Sequence, residues 1–380
     1  MSRDMNKNVF AKGVLSLKTS CIGLLVCLFL PSYSNFAPPI HVPPSAGGQG
    51  IQLALDGLPA GGEVDLGAGQ YLVRAPIILR KDGQTLRGVG VATRLDLADG
   101  ANCPVIILGS LSAHAINPTK DVHLASLFID GNRKNQQKEV WRFLPDGAGV
   151  YNNGVDVWGA QDATVENVVC GHCRSGGLVS SAGTRRLTVR DFTAFDNQFD
   201  GLACYQTEDS RFSRLNLHDN LAAAISLDLN FNHNVIHDAV LTGDDLGIFM
   251  RQSRGNAFED VTITRSRHDG VFMAETAVHT AGGWRLSPGT ECTGNTFCKL
   301  RITHCGGKAF VVNDAGCGHN VICDGQFSDN LQGGLFQAAA NLVTMRSSDD
   351  RAQPSATAKA LQVVHQGNDH PAAPTSHTAL

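Results

Sequence analysis

Charge is the first thing this chain has little of. Only 17% of its 380 residues are charged, and 31 Lys and Arg stand against 35 Asp and Glu, for a formal net charge of −4 and a pI near 6.4. No cluster of Lys and Arg with interleaved aromatics occurs, so the electrostatic footprint of a nucleic-acid surface is missing. Long apolar runs are missing too. The segment CIGLLVCLFL at 21–30 is too short for an easy membrane span, which takes about 20 residues. A second CxxC is also absent. The CGHC at 170–173 therefore lacks the other half of a zinc site, and no helical pattern surrounds it as a redox motif would require.

What is present is punctuation. The chain has 41 Gly, and its apolar residues come in short β-branched or aromatic runs separated by Gly, Asn and Asp, the pattern of many short strands joined by tight turns. The first 34 residues differ in composition. Arg3, Lys7, Lys12 and Lys18 precede the apolar run, and small Ser32 and Ser34 follow it. Residues 1–34 read as a secretory signal peptide, with a retained anchor as the alternative, so the expected location is secreted or periplasmic, with no membrane association beyond export. Removing that segment leaves Cys103, Cys170, Cys173, Cys204, Cys292, Cys298, Cys305, Cys317 and Cys323, an odd set that cannot all pair. Cys298 and Cys323 fall at equivalent repeat positions, as a stacked pair or a disulfide.

The dominant feature is a repeat of about 23 residues. Small residues that open apolar strands stand at Gly154, Gly177, Gly201, Ala224, Gly247, Gly270, Ala309 and Gly334. The long step between Gly270 and Ala309 is accounted for by an insertion at 276–291, and each interval carries a second strand, such as RLTVRDFTA or RFSRLNLHD. Recurrence on this scale predicts an all-β, right-handed parallel β-helix over 47–341. The N-terminal end is capped by a short amphipathic helix, a linker precedes it at 35–46, and a disordered tail follows at 342–380.

Alternation across a strand fixes which side chains face out. Counting the opening residue as zero, position one holds Val155, Leu178, Leu202, Ile225, Ile248, Val271, Phe310 and Leu335, so it faces inward, and position three follows it. Positions two and four then point outward. Asn197, Asn220 and Asn330, four residues before their strands, suit an inward amide ladder. Position four runs Trp158, Ser181, Tyr205, Asp228, Arg251, Ala274 and Asn313. Tyr205, Asp228 and Arg251 at its centre are the candidate catalytic column. Arg251 would bind an acidic sugar's carboxylate or stabilise developing charge, Tyr205 would move a proton, and Asp228 would orient Arg251, although a plain surface ion pair is equally compatible. Trp158, Glu275, Asn313 and Lys308 are candidates for substrate binding, with Trp158 offering a flat face to a sugar ring. Asp245 and His268 share position minus two and form a second catalytic candidate, close to Asp200, Asp244 and Asp269, whose residue type suits turns on backbone grounds alone. No metal site is assigned. Calcium stays open, because isolated Asp residues lack a fixed ligand spacing.

The stretch GQYLVRAPIILRKDGQTLRGVG at 69–90 resembles the opening coils of pectate-lyase-like β-helix proteins. That resemblance implies a polysaccharide, in particular an anionic one, as the partner. GDDLGIF, followed one coil later by RHDGVF, is similar to the paired Asp and later His of polygalacturonase-type glycoside hydrolases. The Asp expected one coil earlier and a following Arg-x-Lys are lacking, as is the DPH signature of alginate epimerases. The expected function is accordingly a polysaccharide lyase or epimerase on uronic-acid polymers. The alternatives are a glycoside hydrolase using Asp228 with Asp245 or Asp244 with Asp245, and a non-catalytic glycan-binding or envelope protein.

Overall fold

The computed structural model describes residues 38–109, 117–137, 142–143, 149–280 and 283–347. The segment read as a signal peptide lies outside the described residues. The described chain is a parallel β-solenoid. One sheet runs coil by coil from Ile40–Val42 to Val343–Arg346, and the other from Ile77–Leu79 to Leu335–Gln337.

Register in the second sheet follows the sequence column. Val155 pairs with Leu178, then Leu202, Ile225, Ile248, Val271, Phe310 and Leu335 along successive strands. Most of these side chains are fully buried, as are Val157, Cys204, Leu227, Met250, Met273 and Val312 two residues on. A one-residue slip would turn this whole apolar set to solvent, and that penalty holds the register.

The strands of the first sheet bend in the middle. Thr164–Gly171, Thr188–Phe195, Arg211–His218, Val235–Thr242 and Ala257–Thr264 each carry one left-handed residue, at Asn167, Asp191, Arg214, Asp238 and Asp260. Asn and Asp tolerate that backbone region best, and Arg214 adopts it because its neighbours above and below do. The bend interrupts alternation, so Val189 and then Phe192 and Ala194 all face the core. Coil turns are tied by buried amides. Asn234, Asn256, Asn295 and Asn320 form a ladder in which each side-chain oxygen accepts the backbone N–H of the residue one coil earlier at 2.8–3.1 Å. The amide expected at Asn197 and Asn220 is present, with Asn197 donating to Asn220 and Asn220 to Asp244. Asn330 is separate from it and caps Cys305.

The helix Gly47–Gly57 closes the first coil with Ile51 and Leu55 fully buried. Two boundaries need correction. Residues 35–46 are not simply a linker, because Ile40–Val42 pairs with Glu63–Leu66 and Tyr71 Oη donates to the Val42 carbonyl at 2.9 Å. Nor does the tail begin at 342, because Val343–Arg346 pairs with Asn320–Cys323 and buries Leu342 and Val343. In both places one more coil edge offers unpaired backbone groups, and the flanking chain satisfies them. The insertion forms an antiparallel hairpin, Ala277–Thr280 with Gly283–Leu286. Cys298 and Cys323 are bonded.

Candidate functional site on the second sheet

The outward column assembles as its spacing requires. Tyr205 pairs with Asp228, Leu227 with Met250, and Arg251 with Ala274, so Tyr205, Asp228 and Arg251 occupy one edge on three successive coils. Both Nε and Nη2 of Arg251 donate to Asp228 Oδ2, at 2.9 and 2.5 Å. Asp228 Oδ1 accepts the Leu229 N–H at 2.7 Å. The Asp228 side chain is 5% exposed and that of Arg251 33%, so the carboxylate is the anchor and the cation is what the surface presents. Arg251 also lies over the Phe249 ring at 5.1 Å, and Phe249 stacks parallel to Phe272 with centroids 5.9 Å apart. Held on one side by a carboxylate and below by a ring, the guanidinium is oriented in advance of any ligand.

Tyr205 hydrogen-bonds to Ser226. Its phenol is held well above its ordinary pKa by burial and by the nearby Asp200 and Asp228 carboxylates. It is therefore neutral across the ordinary pH range, a proton donor rather than a phenolate base.

The other predicted residues stand apart from this centre. Trp158 is half-buried on the same edge, paired with Ser181, three coils from Asp228 and so about 14 Å away at the inter-strand spacing. Asp245 and His268 do meet, Nδ1 to Oδ1 at 2.9 Å, and Arg267 Nε joins them at 3.3 Å. They lie before the strand, however, six residues from the Arg251 position, which is roughly 20 Å along an extended chain. The two candidate columns are thus two separate clusters in the structure. Glu275 accepts the Gly316 N–H at 2.9 Å, and burial raises its carboxyl pKa. Asp314 accepts from the Glu275 N–H and from Asn313 Nδ2, which makes that group a brace for the loop after the strand. Lys308 Nζ reaches the Gln332 carbonyl at 3.4 Å and the Phe336 ring at 6.0 Å. Asp269 caps the Lys308 N–H, and Asp200 the Ala223 N–H, both in turn roles.

Two features escaped the sequence reading. Phe249 and Phe272 are outward at position two on adjacent coils, a signal visible in GIFMR and GVFMA once the column is written out. Asp156, also at position two, is 3% exposed. Its Oδ1 accepts from Asn153 Nδ2 at 2.6 Å, while Oδ2 has no hydrogen-bond partner among the described residues. Burial pushes its pKa up to about 7. Nothing in its residue type distinguished it from a surface aspartate.

A parallel β-solenoid with an oriented cation and paired rings on one outward face is the class that fold and site define. The chain belongs to the family described as "Periplasmic copper-binding protein (NosD)", whose sequence model matches residues 129–346. It is also 33% identical over 175 residues to mannuronan C5-epimerase AlgE4 of Azotobacter vinelandii, a match covering 43% of this chain and 30% of that one. It thus spans less than a third of that relative's length. Among solved structures, ORF18 of Geobacillus virus E2 superposes with a TM-score of 0.63 at 13% identity, covering 81% of this chain and 61% of that one. The A-module of mannuronan C-5 epimerase AlgE6 of Azotobacter vinelandii gives 0.54 at 17% identity, covering 81% and 96%. These likenesses establish the fold.

The family's description raises copper. Among the described residues, no group of three or more His, Cys, Asp or Glu is placed to hold a metal ion. Cys170, Cys173 and Cys204 are buried in the core, where desolvation disfavours the thiolate, pushing Cys204 up to about 12. The described residues do not fit a copper centre.

Proposed function

We propose that this protein is exported, binds a uronic-acid-containing polysaccharide across the outward face of the second sheet, and acts on it as a lyase or epimerase. The observation that carries this reading is the preoriented Arg251, fixed by buried Asp228 and seated on Phe249. A uronate carboxylate pairs with the guanidinium while its ring lies against Phe249 and Phe272. Transfer of the proton next to that carboxylate to a general base puts negative charge on the carboxylate, and the cation stabilises that charge. Tyr205, kept protonated, supplies a proton on the same edge. Trp158 extends the track toward the N-terminal coils. The 33% identity to a mannuronan C5-epimerase supports the choice of polymer class.

A hydrolase reading loses its carboxylate pairs. Asp228 and Asp245 lie at opposite ends of their strands, beyond the roughly 5–10 Å that glycoside hydrolysis uses, and Asp244 is fully buried.

The test is incubation with alginate, polygalacturonate and glycosaminoglycans. The readouts are ultraviolet absorbance of an unsaturated uronate and NMR of the C5 configuration. Arg251→Ala is expected to lower turnover about 100-fold or more, and Arg251→Lys to restore little, since Lys cannot reproduce the two-donor fork. Glycan binding with neither readout on any polymer would make the face a binding surface alone, and no binding would end the proposal.

A further inference from the structure

Cys292 and Cys317 are separated by 25 residues, the interval that also separates the bonded Cys298 and Cys323. The interval is set by register, since Thr296 pairs with Val321 and Phe297 with Ile322. One step back, the Asn295 N–H donates to Asn320 Oδ1 at 3.0 Å, so the two chains are still aligned where the second pair of cysteines sits. The Cys292 N–H donates to Cys317 Sγ at 3.3 Å. Asn320 Nδ2 donates to the carbonyls of both Cys292, at 3.0 Å, and Cys317, at 3.2 Å, clamping their backbones together. Cys292 Sγ lies 3.6 Å from the carbonyl of Ala274, the register partner of Arg251.

The two thiols differ in chemistry. The hydrogen bonds from the Cys292 side chain and backbone favour the thiolate of Cys317 and lower its pKa, whereas burial pushes Cys292 well up. Both side chains are buried, yet Cys317 lies in a short loop between exposed Gly316 and exposed His319. Cys317 is thus the thiolate-favoured sulfur of the pair, fully buried as it stands and reached by a small disulfide when the loop that carries it opens, and Cys292 is the thiol behind it.

We propose that Cys292 and Cys317 form a redox-active dithiol that closes to a second cross-coil disulfide by exchange with a low-molecular-weight disulfide. The Cys317 thiolate attacks one sulfur of oxidised glutathione, breaking its S–S bond, forming a mixed disulfide and releasing one glutathione thiolate. Cys292 then gives up its proton and attacks the Cys317 sulfur, expelling the second glutathione. The two protein thiols are oxidised and the glutathione disulfide is reduced to two thiols. Closure ties the 313–317 loop, whose Gly316 holds Glu275, to the coil that leads away from the Arg251 edge.

The test uses the full chain equilibrated in glutathione buffers of graded ratio, denatured, alkylated and digested with trypsin without reduction. Peptides 286–299 and 309–346 each carry two of the four cysteines. In oxidised glutathione they are expected joined and unalkylated. In a mildly reducing mixture they are expected joined through Cys298–Cys323 with two alkyl groups; chymotryptic cleavage after Phe297 assigns one to Cys292, and fragment-ion sequencing between Cys317 and Cys323 assigns the other to Cys317. The Cys292→Ala variant is expected to stop at a glutathione adduct on Cys317. Alkylation of Cys292 and Cys317 at every ratio, or an adduct on the wild-type chain that never closes, would overturn the proposal. The wild-type map decides the matter even if the variant does not fold, and it is independent of any glycan activity.

Discussion

Asp156 shows how far a single side chain can depart from what its type suggests. Its pKa of about 7 against an ordinary 3.8 means that the native state keeps a proton the unfolded chain has already lost. Below about pH 4 both states are protonated and the residue costs nothing. Between about 4 and 7 stability falls as pH rises, and above that the full cost, on the order of 4 kcal/mol, is present. Asp156→Asn keeps an acceptor for Asn153 and removes the ionisation. Calorimetry should show a higher Tm for the variant at pH 8 and little difference at pH 4. An equal gain at both pH values would mean that the carboxyl is not held protonated. Asp244 behaves in the same direction, with a pKa raised to about 6 by burial, so the wild-type chain is expected to lose stability from pH 4 to pH 7 for two reasons.

At the scale of the element, the asparagine ladder is what makes coil stacking specific. Each buried Asn satisfies a backbone N–H one coil away; Asn234, Asn256 and Asn295 pass their Nδ2 protons to a carbonyl and to the next Asn oxygen, and Asn320 at the end gives both to carbonyls. Asn256, for instance, donates to the Phe231 carbonyl and to Asn295 Oδ1, both at 2.9 Å. Replacing it leaves a backbone N–H and a carbonyl buried without partners. Asn256→Ala should cost about 2–4 kcal/mol in denaturant unfolding. Asn330→Ala, at a partly buried position outside the ladder, should cost about half that or less. Equal losses would show that the ladder does not act as a unit. Only part of this was legible. Asn197 and Asn220 were found because they precede an apolar strand at fixed spacing. Asn234, Asn256, Asn295 and Asn320 precede the bent strands, whose column could not be aligned without knowing where each bend falls.

For the whole molecule, the capped end matters most. A solenoid ends in a sheet edge and an open core; Ile51 and Leu55 of the helix Gly47–Gly57 fill the core end, and Gln52 of the same helix bonds the Ile78 backbone at the edge. Leu55→Asp should expose that end. Light scattering after size exclusion is expected to show higher-order species, while the far-ultraviolet β signal stays largely in place because distant coils do not depend on the cap. A monomer of unchanged stability would mean that the helix is dispensable.

The sequence by itself determined the coil length, the inward column from Val155 to Leu335, the place of the insertion and the Tyr205–Asp228–Arg251 edge. All of these follow from a period that burial enforces at every turn. Only the tertiary structure decided which polar residues share a site. Asp245 is six residues from Arg251 in sequence yet at the far end of an extended strand, with His268 beside it on the next coil, and strand rise, rather than residue count, sets that separation. Tertiary structure alone also sank Asp228 beneath Arg251, protonated Asp156 and turned Cys292 toward Cys317, because burial and the neighbouring coil's charges are properties of packing that a column of letters does not carry.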